Sequence, residues 1–409
     1  MKKMFKRILS ALLVAVLLIG IAPMGGFELS TKVSAKDISS CKVGDIIEFG
    51  SYPQSEITDS DLIAKIEAVG KSISWVDYNY YAGTGDWDDG NMKPVDGMML
   101  YKDITYDGSK YRAVKINQYR PYITGLASSY SDQDDNGYYA GNIYYFKYEP
   151  LTWRVLDPAE GYVMCNKIID SQAYQSLIYY DGNHYYNNKS CTNYAHDWVT
   201  SSLRQWLNSN FYDAAFTAEE KSLIGISHLK NRSAETSIYD SEDTDDKIFP
   251  ISHDDAINNV YGFSSNAGAY DTARQMKGTN YAKSQGLGVA SDGTSWWRLR
   301  SAYYSINTDG IKTGSWAGNR TYVDFTSFGV VPAFKFNPKS TTQNKIGDIN
   351  TDGKINSADA LLVLQSSTGI ITLTDTQKLL ADVNEDGKIN STDALLILQY
   401  ATGKITSFK

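Results

Sequence analysis

The chain has 409 residues and a formal net charge of −8, a balance that argues against nucleic acid and anionic membranes as partners. Its three cysteines, Cys41, Cys165 and Cys191, leave one odd, which excludes a disulfide scaffold while leaving a single bridge open. Its length predicts two or three domains.

In chain order, Met1-Lys-Lys-Met-Phe-Lys-Arg7 is a basic start, residues 8–21 are an almost unbroken apolar run, and small residues end in Val33-Ser34-Ala35. Residues 1–35 therefore read as a secretory signal peptide cut after Ala35. The apolar run is short for a bilayer core, no Cys follows that would carry a lipid anchor, and nothing further along could span a membrane. The mature chain is expected to be extracellular.

Residues 36–338 are rich in aromatics, the chain having 31 Tyr and 8 Trp against 9 Pro. They cluster with Gly, Asn and Asp, as in Trp75-Val-Asp-Tyr-Asn-Tyr-Tyr81 and Asp86-Trp-Asp-Asp-Gly90. Such rings stack on sugar faces, and they equally cover the core of any loop-rich secreted fold. Short strand patterns are expected at residues 45–49, 111–116, 151–156, 162–166 and 330–336, bounded by Gly, Asp or Pro. A helix is expected at 201–208, with Leu203, Trp206 and Leu207 on its inner face. A second should begin at Thr217, where Thr217-Ala-Glu-Glu220 forms a capping box, and a third near Asp254. The fold class is α+β with long irregular segments.

Several motifs in this region resemble an uncharacterised domain family of secreted bacterial proteins. They include Phe49-Gly-Ser-Tyr-Pro-Gln54, Met99-Leu-Tyr-Lys-Asp-Ile104, Phe146-Lys-Tyr-Glu-Pro-Leu-Thr-Trp-Arg-Val-Leu156, Ser202-Leu-Arg-Gln-Trp-Leu-Asn208, Trp296-Trp-Arg-Leu-Arg-Ser301 and Gly329-Val-Val-Pro-Ala-Phe334. The resemblance spans residues 44–337. It implies a mixed domain similar to C-type-lectin-like and sulfatase-modifying-factor folds, with the last two motifs as central buried strands, and it implies no chemistry.

A direct search for chemistry finds little. His184, His196, His228 and His253 have no metal-ligand spacing, and there is no nucleophile elbow, P-loop or dinucleotide fingerprint. Cys165 and Cys191 lie outside any formylglycine-generating motif. A glycosidase needs two carboxylates at a set separation, and sequence selects no pair, so no catalytic residue is nominated. The acidic stretches 131–137 and 239–246 read as solvated turns ahead of calcium loops. Trp153, Trp206, Trp296 and Trp297 read as core residues; Trp75, Trp87 and Trp316 are the candidates for ligand contact.

A polar linker, residues 339–345, leads to residues 346–409, where one pattern occurs twice, 34 residues apart, with 14 identities between the 18 residues from Asp348 and the 18 from Asp382. A hard cation such as calcium takes oxygen ligands from positions 1, 3, 5, 7, 9 and 12 of a 12-residue loop. Those positions hold Asp348, Asn350, Asp352, the Lys354 carbonyl, Asn356 and Asp359 in the first copy, and Asp382, Asn384, Asp386, the Lys388 carbonyl, Asn390 and Asp393 in the second. Gly353 and Gly387 stand at position 6, where the chain turns sharply. Ile355 and Ile389 should point inward. Position 12 is Asp and not Glu, so each loop must close more tightly. An apolar helix is expected after each loop and none before either.

This doubled loop-helix unit resembles a type I dockerin. The resemblance implies two bound calcium ions, an all-α module, and a cohesin on a scaffoldin or cell-surface protein as partner. It assigns partner choice to loop positions 10 and 11, here Ser357-Ala358 and Ser391-Thr392, and implies a pseudo-two-fold surface. Leu364 and Leu398 stand where many dockerins carry Lys or Arg. The combined expectation is a secreted component of a cellulosome-like polysaccharide-degrading assembly, with a glycan- or protein-binding middle domain. The alternatives are a glycoside hydrolase or other carbohydrate-active enzyme, told apart by a deep pocket with converging carboxylates, and a structural surface protein.

Overall fold

A computed structural model describes residues 35–79, 81–82, 93–94, 96–120, 132–175, 179–180, 185–186, 196–305, 307–312, 317–318, 320–323, 325–337, 346–350 and 354–408. The expected signal peptide before Ala35, the linker 339–345, and Trp87, Trp316, His184, Cys191, Asp352 and Gly353 lie outside the described residues.

The middle domain is built on two sheets. The larger is antiparallel and contains β1 (Ile46–Glu56), β2 (Val76–Asp77), β3 (Met99–Tyr106), β4 (Ser109–Ile116), β5 (Ile143–Asp157), β6 (Tyr162–Cys165) and β12 (Ala333–Lys335), in the order β12-β6-β5-β4-β3-β2 with β1 on β5. The 15-residue β5 is its spine: β1 pairs with residues 146–154, while β4 takes residues 143–147 and β6 the far end. β3 turns into β4 at Asp107-Gly108, both with positive φ of 48° and 71°. Asp and Gly accept that backbone region, and it suits the twist of a tight hairpin.

The smaller sheet runs β10-β9-β8-β11-β7, from β7 (Asp170–Ser171), β8 (Trp297–Tyr304), β9 (Asn307–Ile311), β10 (Thr321–Tyr322) and β11 (Gly329–Val330). Two passages, β6 into β7 and β11 into β12, carry the chain from one sheet to the other, which joins both into one core. Trp153, Trp198 and Trp297 are fully buried in the domain, each with its indole N–H satisfied, by the Phe49 carbonyl, Asp246 and the Arg274 carbonyl. The Trp-Arg-Leu-Arg-Ser and Gly-Val-Val-Pro-Ala-Phe motifs are buried strands as expected. Arg298 can be buried there because carbonyls of Gln172, Tyr322 and Phe325 accept its N–H groups.

Helix α1 (Ser60–Gly70), which the sequence reading passed over, is capped by Asp59 accepting from the Asp61 and Leu62 N–H groups and covers a satellite core of Ile66, Ile104, Tyr111, Ala113 and Tyr145. Helix α2 (Ser202–Trp206) begins at the Ser201 cap, passes into a π-helical stretch, Leu207–Phe211, and resumes as α3 (Tyr212–Ala215). The reason is local. The Asn208 amide and Ser209 hydroxyl donate to the Arg204 and Gln205 carbonyls four residues back, at 3.0 and 2.6 Å, which loosens the helical ladder. Helix α4 (Ala218–Leu223) carries the expected capping box, with both the Thr217 and Glu220 bonds formed. Helix α5 (His253–Ala256) starts from a second box at Ser252, and α6 is Asn280–Ser284.

The C-terminal module has its own core of Ile349, Val363, Leu373, Leu380, Val383 and Ile397 with smaller neighbours, Ile355 and Ile389 packing against it from the loops. Its helices are α7 (Ser357–Ser367), α8 (Asp375–Ala381) and α9 (Ser391–Ala401). One expectation is corrected here: α8 leads directly into the second loop at Asp382. Its start signal is a capping box, Thr374 with Gln377, and a helix this short carries too little apolar periodicity to stand out. At the other end Phe408 stacks on Tyr400 with ring centroids 4.8 Å apart. A Cβ on Gly347 would meet the Phe408 ring at 2.6 Å, so only glycine fits there.

Candidate functional sites: an arginine-centred cleft and a doubled oxygen-ligand loop

In the middle domain a cleft of about 660 Å³ opens beside Arg112, within the range of small-molecule sites. Arg112 on β4 is buried and forks onto Asp103 of β3, Nε to Oδ1 at 2.7 Å and Nη2 to Oδ2 at 2.9 Å. Nη2 also donates to the Tyr148 hydroxyl (2.8 Å), which donates to Asp103 at 2.8 Å. Nη1 donates to the Tyr281 hydroxyl (3.2 Å), itself 2.8 Å from the Tyr78 hydroxyl. The guanidinium lies 4.4 Å from the Tyr101 ring centroid, a cation–π contact in a water-poor setting. Burial raises the Asp103 carboxyl, but the hydrogen bond and charge of Arg112 outweigh it and hold it below its ordinary value. Burial pushes the Tyr52, Tyr148 and Tyr281 phenols well up, so they remain protonated donors.

Behind the cleft, the Tyr52 hydroxyl donates to Asp170 at 3.0 Å. Burial raises the Asp170 carboxyl to about 6, opposed by the Ser171 N–H, the Arg120 charge and the Tyr52 hydroxyl. Gln205 and Trp206 from α2, and Ser209 and Asn210 from the π-helical stretch, complete the lining with Asp77 and Asn79. Asn79 is one of the non-glycine residues in the left-handed region, φ 52°.

The aromatic assignments change accordingly. Trp206, expected in the core, is half-buried and lines the cleft, stacked on Phe211 at 5.6 Å. Trp75, expected at a ligand, instead packs against the satellite core with Lys102 Nζ 4.6 Å from its ring. Trp153 and Trp297 are core residues as expected, and Trp296 is half-buried against Phe328. The described histidines are held by hydrogen bonds: His196 with the Ser305 carbonyl, His228 with Asp245 and His253 with Asp309. The acidic stretch at 239–246 is structural, since Asp246 is buried against Arg204 (2.6 Å) and the Trp198 indole N–H (3.0 Å). Cys165 is buried, and burial pushes its thiol up to about 12, which makes it unreactive.

The repeated loops are tied by their own oxygen atoms. In the second, Asp382 accepts from the Asp386 and Gly387 N–H groups at 3.1 and 2.9 Å. Asn384 accepts from the Asp386 N–H, and Asp386 from the Lys388 N–H. Gly387 makes the turn at φ 78°. Asp393 is fully buried; its oxygens accept from the Val383 N–H at 3.1 Å and the Asn390 N–H at 2.9 Å. The first copy repeats this: Asp359, also buried, accepts from the Asn350 and Asn356 N–H groups at 3.1 and 2.9 Å. Position 9 and position 12 thus also form the capping box of the exit helix, Asn356 with Asp359 on α7 and Asn390 with Asp393 on α9. Loop closure and helix initiation share one carboxylate.

The dockerin type I family model matches residues 346–400. The chain carries a type I dockerin domain. Preceding the dockerin, a domain-of-unknown-function family, DUF6273, matches residues 163–338, the later part of the 44–337 stretch that sequence grouped together. No curated protein matches the chain. Two solved structures are similar to it over the dockerin. Both are of the third cohesin ScaC in complex with the ScaB dockerin from Acetivibrio cellulolyticus, displaying a type I interaction, with an IN-to-SI mutation in the N-terminal helix in one and in the C-terminal helix in the other. Each is 35% identical with a TM-score of 0.15, covering 16% and 15% of this chain and 90% and 86% of the matched chains.

Type I dockerin domains bind calcium, and the dockerin's residues fit that ion. The donor set of each loop is all oxygen, from carboxylates, Asn amides and a main-chain carbonyl, which suits a hard cation. A carboxylate has about four lone-pair sites, so an oxygen that accepts one N–H retains capacity to ligate. Among the described residues no three His, Cys, Asp or Glu side chains gather as a metal-holding group, and the loops draw on Asn and carbonyl oxygens beside their Asp residues. On the dockerin's helices, Leu361 and Leu395 are 53% and 54% exposed and Leu364 and Leu398 39% and 37%, equivalent positions with equal exposure. Ser357, Ala358, Ser391 and Thr392 stand at the first turns of α7 and α9. No helix among the described residues is long and apolar enough to cross a membrane.

Proposed function

We propose that this chain is a secreted component of a cellulosome-type, polysaccharide-degrading assembly, docked by its dockerin onto a cohesin of a scaffoldin or cell-surface protein in a calcium-dependent manner. The observation that carries this is the doubled loop in which a buried Asp closes the loop and caps the helix that presents the docking face. Calcium, when bound, neutralises the converging carboxylates. Asp348, Asn350, Asp352, the Lys354 carbonyl, Asn356 and Asp359 would hold one ion; Asp382, Asn384, Asp386, the Lys388 carbonyl, Asn390 and Asp393 would hold a second. The chain's own contribution is to turn these oxygens inward and to fix α7 and α9. Ser357-Ala358 with Leu361 and Leu364, and Ser391-Thr392 with Leu395 and Leu398, form two equivalent faces, each apolar enough to anchor a partner. Titration calorimetry of the full chain against a type I cohesin tests this: binding in calcium and none in chelator is expected, and equal binding in both would refute it.

The middle domain, in this reading, binds a glycan or a protein. Its Arg112-centred cleft supports that reading over a glycosidase, because the Asp103 carboxylate in it is held by the Arg112 guanidinium. Its kinship to C-type-lectin-like folds rests on the order of its motifs.

A further inference from the structure

We propose, resting on the reading of the middle domain as a ligand-binding module, that the Arg112 cleft takes a neutral, hydroxyl-rich ligand: a segment of glycan laid against Trp206 and held by the side-chain amides of Gln205 and Asn210. The charges around the cleft are already balanced internally. It is lined by three carboxylates, Asp77, Asp103 and Asp213, and three cations, Lys110, Arg112 and Arg120. Asp103 is held by Arg112 and by Lys110 at 3.4 Å. Asp213 pairs with Lys221 at 2.7 Å. Asp77 accepts from the Asn79 and Gly97 N–H groups at 2.7 and 2.5 Å. Arg120 donates to the Ser171 and Gln285 carbonyls and to Gln172. A phosphate or a carboxylate ligand would have to break one of these pairs, and so would a cation. An apolar ligand is disfavoured as well, because Ala173, Leu203 and Ala214 are the aliphatic lining.

What the lining offers is aromatic surface beside groups that both donate and accept. Trp206 rests one face on Phe211, ring planes 27° apart, which holds the indole rigid beside the cleft. Gln205, Ser209 and Asn210 are exposed on the same helical segment. Hydroxyls need donors and acceptors together, which carboxamides supply and single-sign ions do not. Two backbone irregularities border the same cleft: the π-helical stretch that carries Ser209 and Asn210, and the left-handed Asn79. Such features gather at functional sites.

The test is calorimetric titration of the full-length chain, in calcium, with neutral β-1,4-linked glucose, xylose and mannose oligomers, with oligogalacturonate and with inorganic phosphate. At least one neutral oligomer should bind. Trp206→Ala should weaken that binding by about tenfold or more. The double variant Gln205→Ala/Asn210→Ala, which alters only exposed side chains and so preserves the fold, should weaken it several-fold. Tyr270→Ala, at an exposed ring outside the cleft lining, should leave it unchanged. Binding that neither cleft variant alters would overturn the assignment to this cleft while leaving the ligand-binding reading standing. Binding of oligogalacturonate or phosphate alone would overturn the neutral class. No binding of any probe, or cleavage of an oligomer, would overturn the ligand-binding reading itself.

Discussion

The dockerin and the middle domain bury carboxylates for opposite ends. In the dockerin, Asp359 and Asp393 are fully buried and each bonds two N–H groups within ten residues of itself in sequence. In the middle domain, the partners that converge on Arg112 and Tyr52 come from Asp103, Tyr148, Asp170 and Tyr281, far apart along the chain. The first arrangement is a local loop that an ion can complete; the second is a network that exists only once two sheets have packed. Local carboxylates make folding answer to a ligand, whereas distributed ones make a ligand site answer to folding.

The largest effect that would sharpen this contrast is expected from Arg112→Ala. It strands the Asp103 carboxylate and the Tyr148 and Tyr281 hydroxyls, a loss of about 3–5 kcal/mol. In calorimetry the middle-domain transition should fall by many degrees with the dockerin transition unmoved; a shift in both would mean that the two regions do not fold separately. Next is Asp393→Ala, which leaves the Val383 and Asn390 N–H groups without their acceptor and should cost the dockerin about 2–4 kcal/mol. Here the pattern reverses, and a variant dockerin that melts with the wild type would break the comparison.

A smaller effect is expected from pH. The folded Asp170 carboxyl titrates at about 6 because it is buried, above the unfolded value of roughly 3.9. The folded state therefore holds its proton more tightly, and the stability this contributes is present at low pH and lost as pH rises through about 6. Burial and the neighbouring Asp135 and Asp134 raise Asp132 to about 6 as well, in the same direction. Lowering pH from 7.5 to 5 should stabilise the middle domain by roughly 1–1.5 kcal/mol through Asp170, read as a rise in its melting temperature. Asp170→Ala should remove that part of the slope. The smallest effect concerns the two docking faces. Changing Ser357-Ala358 alone should weaken cohesin binding by about twofold, the loss of one of two equal modes, or roughly 0.4 kcal/mol. Changing Ser391-Thr392 as well should abolish it, and abolition by either pair alone would mean a single face.

These same two arrangements explain what could be read from sequence. The dockerin's ligand positions are legible because their spacing is the chemistry: each oxygen lies at a fixed step from Asp348 or Asp382. The capping box at Thr217 was legible for the same reason, and both of its bonds form. The equivalent signals at Thr374 and at Asp107-Gly108 were present and passed over, and they mark α8 and the β3–β4 hairpin. The cleft was not legible. Nothing in Lys-Tyr-Arg112 marks an arginine that will meet tyrosines from β1, β3, β5 and α6, because that meeting is set by sheet order. Trp206 misled because an inward helical face was assumed to continue. The Asn208 and Ser209 side chains loosen the helix after it, and the indole lines the cleft beside the π-helical stretch.

The most direct measurement is differential scanning calorimetry of the full chain, first in calcium and then in excess chelator. Two transitions are predicted in calcium, and chelation should remove or sharply lower the dockerin transition while leaving that of the middle domain in place. A dockerin transition that keeps its temperature and enthalpy without calcium would contradict the account.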